Sequence, residues 1–211
     1  MNRIEKKVAI HYGEKFETYG ATPKGVDWKD QTSQYLRFEQ LLKVLIPTSS
    51  SESTIKLNDL GCGYAELYDY LMKYLSIPFE YHGYDISKPC IEYLQSQKKI
   101  ENKHFHLIED ANDLKLADYT VASGIFNVKM DETEEDWLNY ILKTIKVIDE
   151  KSIKGFSFNC LTSYSDAHKK RPDLYYADPL YLFDYIKKNI AQNIVLYHDY
   201  GMYDFTIVVK K

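Results

Sequence analysis

The sequence predicts an α/β fold: a seven-stranded, mostly parallel sheet between helices, ending in an antiparallel hairpin. Three observations predict it. Strand-like apolar runs alternate with helical patterns through most of the 211 residues. A strand, a glycine turn and a helix follow one another without a break in LNDLGCGYAELYDYL, Leu57 to Leu71. Two alternating runs flank DYGM, residues 199–202, near the C-terminus.

In chain order, Ile4, Val8, Tyr12 and Phe16 recur at helix spacing and predict an amphipathic first helix. Thr18 to Trp28 reads as a loop, marked by two glycines and Pro23. Tyr19 and Trp28 make this loop a candidate lid. Ser33 to Ile46 reads as a second helix with Phe38, Leu41, Leu42 and Leu45 on its buried stripe. Arg37 stands beside that stripe, where a guanidinium needs a carboxylate. The partner is either a ligand carboxylate or an acid of the chain, Asp30 or Glu39. Pro47 and the serine-rich stretch Ser49 to Ser53 form a linker. The chain therefore reads as one domain, with residues 1–53 as a helical lid segment and 54–211 as the core.

The core begins with the strand Ile55 to Leu60 and its glycine turn. A second strand, Phe79 to Tyr84, ends at Asp85, and Ser87 with Pro89 starts a helix running to about Lys99. Lys103 to Asp110 is a third strand, and Asp118 to Val128 a fourth. Asp131 with Glu134 reads as a capping box for a long helix. Lys154 to Tyr164 is the fifth strand, followed by an insertion, Ser163 to Ala177, and a helix started by Asp178 and Pro179. The insertion carries His168, Lys169, Lys170, Arg171, Tyr175 and Tyr176, a basic and aromatic set that suits an anionic acceptor or is simply a solvated face.

The glycine turn points to a nucleoside ligand. Glycines let the backbone approach a ligand closely, and the helix start offers unpaired N–H groups. A dinucleotide turn reads GxGxxG, but here the six residues are GCGYAE, and Glu66 would face a pyrophosphate. Asp59, two residues before the first glycine, suits a ligand with an ammonium group and no phosphate. S-adenosylmethionine (SAM) is such a ligand. Asp85, a little over twenty residues beyond the glycines, stands where an acid accepts both ribose hydroxyls.

The stretch DLGCGYA resembles motif I of class I SAM-dependent methyltransferases, DxGxGxG, with Ala65 replacing the third glycine. The ribose acid, the acid after the third strand, the exit of the fourth strand and the terminal hairpin follow in that family's order. The resemblance implies a Rossmann-like sandwich in which the last strand inserts antiparallel. It implies cofactor contacts from Asp59, Gly61, Cys62, Gly63, Asp85, Ile86, Asp110, Ala111 and Ser123, with Arg37 as the candidate for the SAM carboxylate. Asp110 would hold the adenine amino group. GATPKGVDW, LRFEQLL, LYYADPLYLFDYIKKN and HDYGMYDFTIVV are similar to a small bacterial subgroup from surface-polysaccharide gene clusters, including those linked to methyl phosphoramidate decoration of capsules.

That resemblance implies methyl transfer from SAM, leaving S-adenosylhomocysteine (SAH), to a small and anionic acceptor such as a phosphoramidate oxygen. The alternatives are O- or N-methylation of a nucleotide-sugar or another small metabolite, and a SAM-binding module without catalysis. A dinucleotide oxidoreductase is the rival that Glu66 and the terminal hairpin oppose. Acceptor-side candidates are Tyr12, Trp28, Asn127, Tyr164 and Tyr176. A sugar hydroxyl would need a general base, for which His11 and His198 are the candidates.

Composition bounds the rest. The chain is 45% hydrophobic and 27% charged with a net charge of -4, ordinary for a globular domain and unsuited to a nucleic-acid partner. No apolar run spans a membrane, and the N-terminus lacks a signal-peptide pattern. Cys62, Cys90 and Cys160 form neither a CxxC nor a zinc spacing, so a cytoplasmic, metal-free protein is expected.

Overall fold

The computed structural model describes residues 1–45, 54–97 and 101–211. The linker expected at Pro47 and Ser49 to Ser53, and the helix end expected near Lys99, lie outside the described residues.

The first helix, α1 (Arg3–Tyr19), starts with a capping box: the Asn2 side chain accepts from the Ile4 and Glu5 N–H groups, and the Glu5 carboxylate accepts from the Asn2 N–H at 2.9 Å. Ile4, Val8 and Phe16 are buried as the spacing predicts, and Tyr12 is half-buried. Pro23–Val26 forms a 3-10 turn inside the expected loop. The second helix, α2 (Gln31–Leu41), starts earlier than expected, because Asp30 accepts from the Ser33 N–H and caps it. It closes in a 3-10 turn, Leu42–Val44.

The core alternates as expected: β1 (Ile55–Leu60), α3 (Glu66–Tyr74), β2 (Phe79–Asp85), α4 (Lys88–Ser96), β3 (Lys103–Leu107), β4 (Ala117–Ala122), α5 (Glu134–Glu150), β5 (Ser152–Leu161), α6 (Pro179–Asn189), β6 (Asn193–Tyr197) and β7 (Asp204–Lys210). The sheet order is β3-β2-β1-β4-β5-β7-β6. The pairs from β3 through β5 are parallel, and β7 is antiparallel to both β5 and β6. Strand periodicity divides the core between two sheet faces. Ile207 and Val209 join a cluster with Trp137 and Ile141 of α5, whereas Val208 joins the opposite cluster with Phe38 and Leu41 of α2.

Several boundaries and caps differ from expectation: α1 runs on to Tyr19, β3 ends at Leu107 and not Asp110, and β5 spans Ser152–Leu161 and not Lys154 to Tyr164. β4 stops at Ala122, because Gly124 turns the chain with φ of 76°. α5 is capped by Thr133, whose hydroxyl accepts from the Asp136 N–H at 3.0 Å, and not by Asp131. Ser87 precedes α4 without a side-chain cap bond; its N–H instead donates to Asp85. Among the described residues no helix is long and apolar enough to cross a membrane.

α2 is fastened to the inserted strand by a buried ion pair, Arg37 to Asp204, whose side chains are 8% and 1% exposed. A buried carboxylate that loses its cation keeps the whole desolvation cost. Arg37→Met should therefore lower the unfolding free energy in urea by about 3–5 kcal/mol. The double variant Arg37→Met/Asp204→Leu should recover most of that loss. A single variant as stable as the parent would show that the pair does not fasten α2.

Candidate cofactor site

A cavity opens at the carboxyl ends of β1, β2 and β4, the edge where parallel sheets bind ligands. Its floor is the glycine turn. Gly61 and Gly63 have φ of 78° and 53°, and Ala65 is also left-handed at 66°. The alanine at the third glycine position is thus held in a conformation that costs an L-residue roughly 1–2 kcal/mol. A Cβ on Gly63 would come within 2.7 Å of a Val26 methyl, and one on Gly124 within 2.4 Å of the Trp28 ring. The chain around residues 26–28 therefore lies directly on the two turns, and only glycine permits that approach.

Asp85 ties the strands together at this point. Its Oδ2 accepts from the Gly63 N–H at 2.8 Å and its Oδ1 from the Ser87 N–H at 2.7 Å. The Ile86 N–H also steadies it, and a carboxylate has about four acceptor positions, so these backbone groups do not use them all. Burial raises the Asp85 pKa, and the backbone N–H groups oppose that rise. Asp59, 2% exposed, accepts from the Tyr81 hydroxyl at 2.5 Å. Burial pushes its pKa up to about 7, the Tyr81 bond opposes this, and the Asp85 charge adds to it. Burial, with Asp85 and Asp59 nearby, also raises the Cys62 thiol, which is inert as a nucleophile there.

The lining is acidic. Glu5, Asp59, Glu66, Asp85 and Asp110 all border the cavity, and no lysine, arginine or histidine does among the described residues. Glu66 accepts from Gln31 at 2.5 Å and from the Tyr35 hydroxyl at 3.0 Å, which joins the start of α3 to α2. Asp110 accepts from the Asn112 N–H at 2.7 Å and starts a 3-10 turn, Ala111–Asp113. The Ser123 hydroxyl borders the cavity, buried and with no hydrogen-bond partner among the described residues. An orphaned hydroxyl and five carboxylates fit a cationic nucleoside with polar groups of its own.

The structure brings eleven of the singled-out residues to this cavity: Tyr12 and Trp28 from the N-terminal segment, with Asp59, Gly61, Cys62, Gly63, Asp85, Ile86, Asp110, Ala111 and Ser123 from the core. The other six do not line it. Arg37 has a carboxylate partner inside the chain, Asp204, and its guanidinium stacks 4.1 Å over the Trp28 ring. Neither Asp30 nor Glu39 takes the pairing role. His11 is held by Asp27 at 2.7 Å. Asn127 is structural: its Oδ1 accepts from the Leu161 N–H at 3.1 Å. His198 is exposed and sits 5.9 Å from the Tyr164 ring. The Tyr176 hydroxyl accepts from the Arg171 N–H at 3.0 Å.

The basic run of the insertion is occupied locally. Lys169 pairs with Asp166 at 3.2 Å, Lys170 donates to the Ser163 carbonyl at 2.7 Å, and Arg171 pairs with Asp173. Residues missed from the sequence include Glu5, Tyr64 and Tyr140, which also border the cavity. Glu5 carried a readable signal, since its capping-box role places it at the start of α1. Tyr140 carried none, as an aromatic on the stripe of α5 reads as core.

No family model matches the chain. The protein named Putative methyltransferase Rv1506c, from Mycobacterium tuberculosis (strain ATCC 25618 / H37Rv), is 45% identical over 156 residues, 74% of this chain and 92% of that protein. Two solved structures share the fold at low identity. Magnesium protoporphyrin IX methyltransferase from Synechocystis PCC 6803 with bound SAH is 11% identical, covers 98% of this chain and 99% of its own, and superposes with a TM-score of 0.68. The N-methyltransferase NodS from Bradyrhizobium japonicum WM9 with SAH is 13% identical, with coverages of 95% and 98% and a TM-score of 0.62. With the mycobacterial relative matched over three-quarters of this chain and nearly all of its own length, and the terminal antiparallel strands those of these enzymes, the chain belongs to the methyltransferases and has the class I SAM-dependent methyltransferase fold.

Proposed function

We propose that the protein transfers a methyl group from SAM to a small-molecule acceptor. The observation that carries this reading is an acidic cavity, free of cationic side chains among its described lining, built on a glycine turn. SAM supplies an electrophilic methyl on a sulfonium, so the protein's part is mainly to orient and to exclude water. In this reading Asp85 accepts from the ribose hydroxyls, Asp110 and Ala111 border the adenine, and Asp59 faces the cationic end. The N-terminal segment serves as a lid: Trp28 lies on Gly124 and is backed by Arg37, which Asp204 holds.

The acceptor is best read as neutral, a hydroxyl or amine of a sugar or similar metabolite. A phosphoramidate or other anionic acceptor rests on the resemblance to the capsule-linked subgroup. Local physics gives it no support, because Lys169, Lys170 and Arg171 are engaged outside the cavity. His11 and His198 do not line the cavity, so the lining groups able to take an acceptor proton are its carboxylates. A cytoplasmic site of action follows from the need for SAM and remains part of this proposal.

Two predictions follow from these roles. Asp59, with its pKa raised to about 7, is partly protonated at neutral pH before a cation arrives. Burial disfavours its charged form, so the folded state is favoured most below the unfolded pKa, and that advantage is lost as pH rises from there through about 7. A cationic ligand reverses the preference. SAM binding should release protons near pH 7, and SAM affinity should rise from pH 5 to 8. Calorimetry in two buffers of different ionisation enthalpy reads the protons, and Asp59→Asn should abolish both effects. Equal release by parent and variant would remove Asp59 from the cationic end.

Asp85→Ala should weaken SAM binding by on the order of 2–4 kcal/mol through the loss of charge-assisted hydrogen bonds. Mass spectrometry of nucleotide-activated sugars and of a phosphoramidate, each incubated with SAM and the enzyme, tests the acceptor. The neutral-acceptor reading predicts methylated sugar and SAH. Methylation of the phosphoramidate alone would reinstate the anionic acceptor, and SAM binding without SAH formation in any pool would favour a binding module.

A further inference from the structure

A second cluster of chemistry lies outside the cavity, on the edge of the sheet. β2 and β3 run parallel with His82 opposite His104 and Tyr84 opposite His106. The two-residue strand period therefore sets Glu80, His82, His104 and His106 on one face of neighbouring strands. None of the four borders the cofactor cavity.

Three donor atoms of this face converge. Glu80 Oε1 is 2.8 Å from His82 Nε2 and 3.8 Å from His104 Nε2, and all three atoms lie within 4.8 Å of one another. Donors about 2.0–2.1 Å from a tetrahedral ion sit roughly 3.3 Å apart, a spacing that these separations bracket. The surroundings also suit a metal. The other Glu80 oxygen faces Lys56 at 3.6 Å, which leaves Oε1 to the cluster. The second ring nitrogen of His82, Nδ1, is 3.2 Å from His106 Nε2, the outer contact that fixes the tautomer and orientation of a ligating imidazole. His104 is 42% exposed and Glu80 30%, so an ion has a path from solvent, and water can complete its coordination.

We propose that Glu80, His82 and His104 form a binding site for a divalent transition-metal ion, with His106 positioning His82. Two imidazoles and one carboxylate suit zinc and its first-row neighbours; calcium and magnesium prefer all-oxygen sets. The ion would clamp the edge strand β3 to β2, the strand that carries Asp85 at its end. The site is independent of the cofactor cavity, so its test and that of the methyl-transfer reading fail separately. The absence of a linear zinc spacing in the sequence concealed it, because its ligands come from two strands.

The test uses the whole chain, stripped with a chelator, and Zn2+ alone as the probe. The expected result is one site per chain with a Kd of about 1 µM or tighter, and a melting temperature raised by roughly 5–10 °C at a hundredfold excess over Kd. His104→Ala and Glu80→Gln should each weaken binding at least about tenfold, and His106→Ala by roughly 10–100-fold. His104 is half in solvent, so its metal-free variant should melt with the parent, and Glu80→Gln keeps the side-chain shape as a second reading. Mg2+ should leave the melting temperature unchanged. No stoichiometric Zn2+ binding tighter than about 100 µM, or equal affinity in the parent and in both His104→Ala and Glu80→Gln, would overturn the proposal.

Discussion

The site depends on one carboxylate that holds two strand ends in a fixed relation. Asp85 accepts from Gly63 on one side and Ser87 on the other, so the turn after β1 and the start of α4 share a single anion. That arrangement orients the N–H groups of a left-handed turn, and it leaves acceptor positions facing the cavity. Neither strand alone could build this. It requires the parallel pairing of β1 with β2, in which Leu60 lies opposite Tyr84 and brings both strand ends to one level.

Concentrating acids there has a cost that the surroundings moderate. Asp59 and Asp85 are both buried, and each is pushed towards its neutral form by that burial. Tyr81 steadies Asp59 and backbone N–H groups steady Asp85, but no cationic side chain borders the cavity among the described residues. The cations nearest in role are directed elsewhere. Arg37 is committed to Asp204 and to the face of Trp28, so it supports the segment over the cavity and not the ligand itself. A cavity that keeps its negative charge uncompensated is matched to a positive guest.

Most of the fold was legible because its signals are local. The glycine turn, the cap at Asp178 and the period of each strand need only neighbouring residues, and the terminal hairpin is marked by Gly201. The residues of the turns at the cavity were legible for the same reason, and Asp59, Gly61, Gly63 and Asp85 line it. What could not be read were pairings made across long distances in the chain. Arg37 met Asp204, 167 residues away, where the expected partner had been a ligand carboxylate or nearby Asp30 or Glu39. His198 and Tyr164 met each other at the surface, and Asn127 turned inward to the Leu161 N–H. The charge run Lys169 to Arg171 reads in sequence as either an anion site or a solvated face, and each cation has a partner within seven residues, as a solvated face would. Glu80, His82 and His104 show the same limit in reverse, since only strand register makes them neighbours.

The central claim is that this cavity takes a cationic nucleoside in preference to a phosphate-bearing one. The most direct measurement is calorimetric titration of the purified chain with SAM, SAH and NADH in the same buffer. SAM and SAH should each bind one to one, and NADH should give no heat of binding, because Glu66 and the other lining acids repel a pyrophosphate. Saturable binding of NADH together with none of SAM would contradict it.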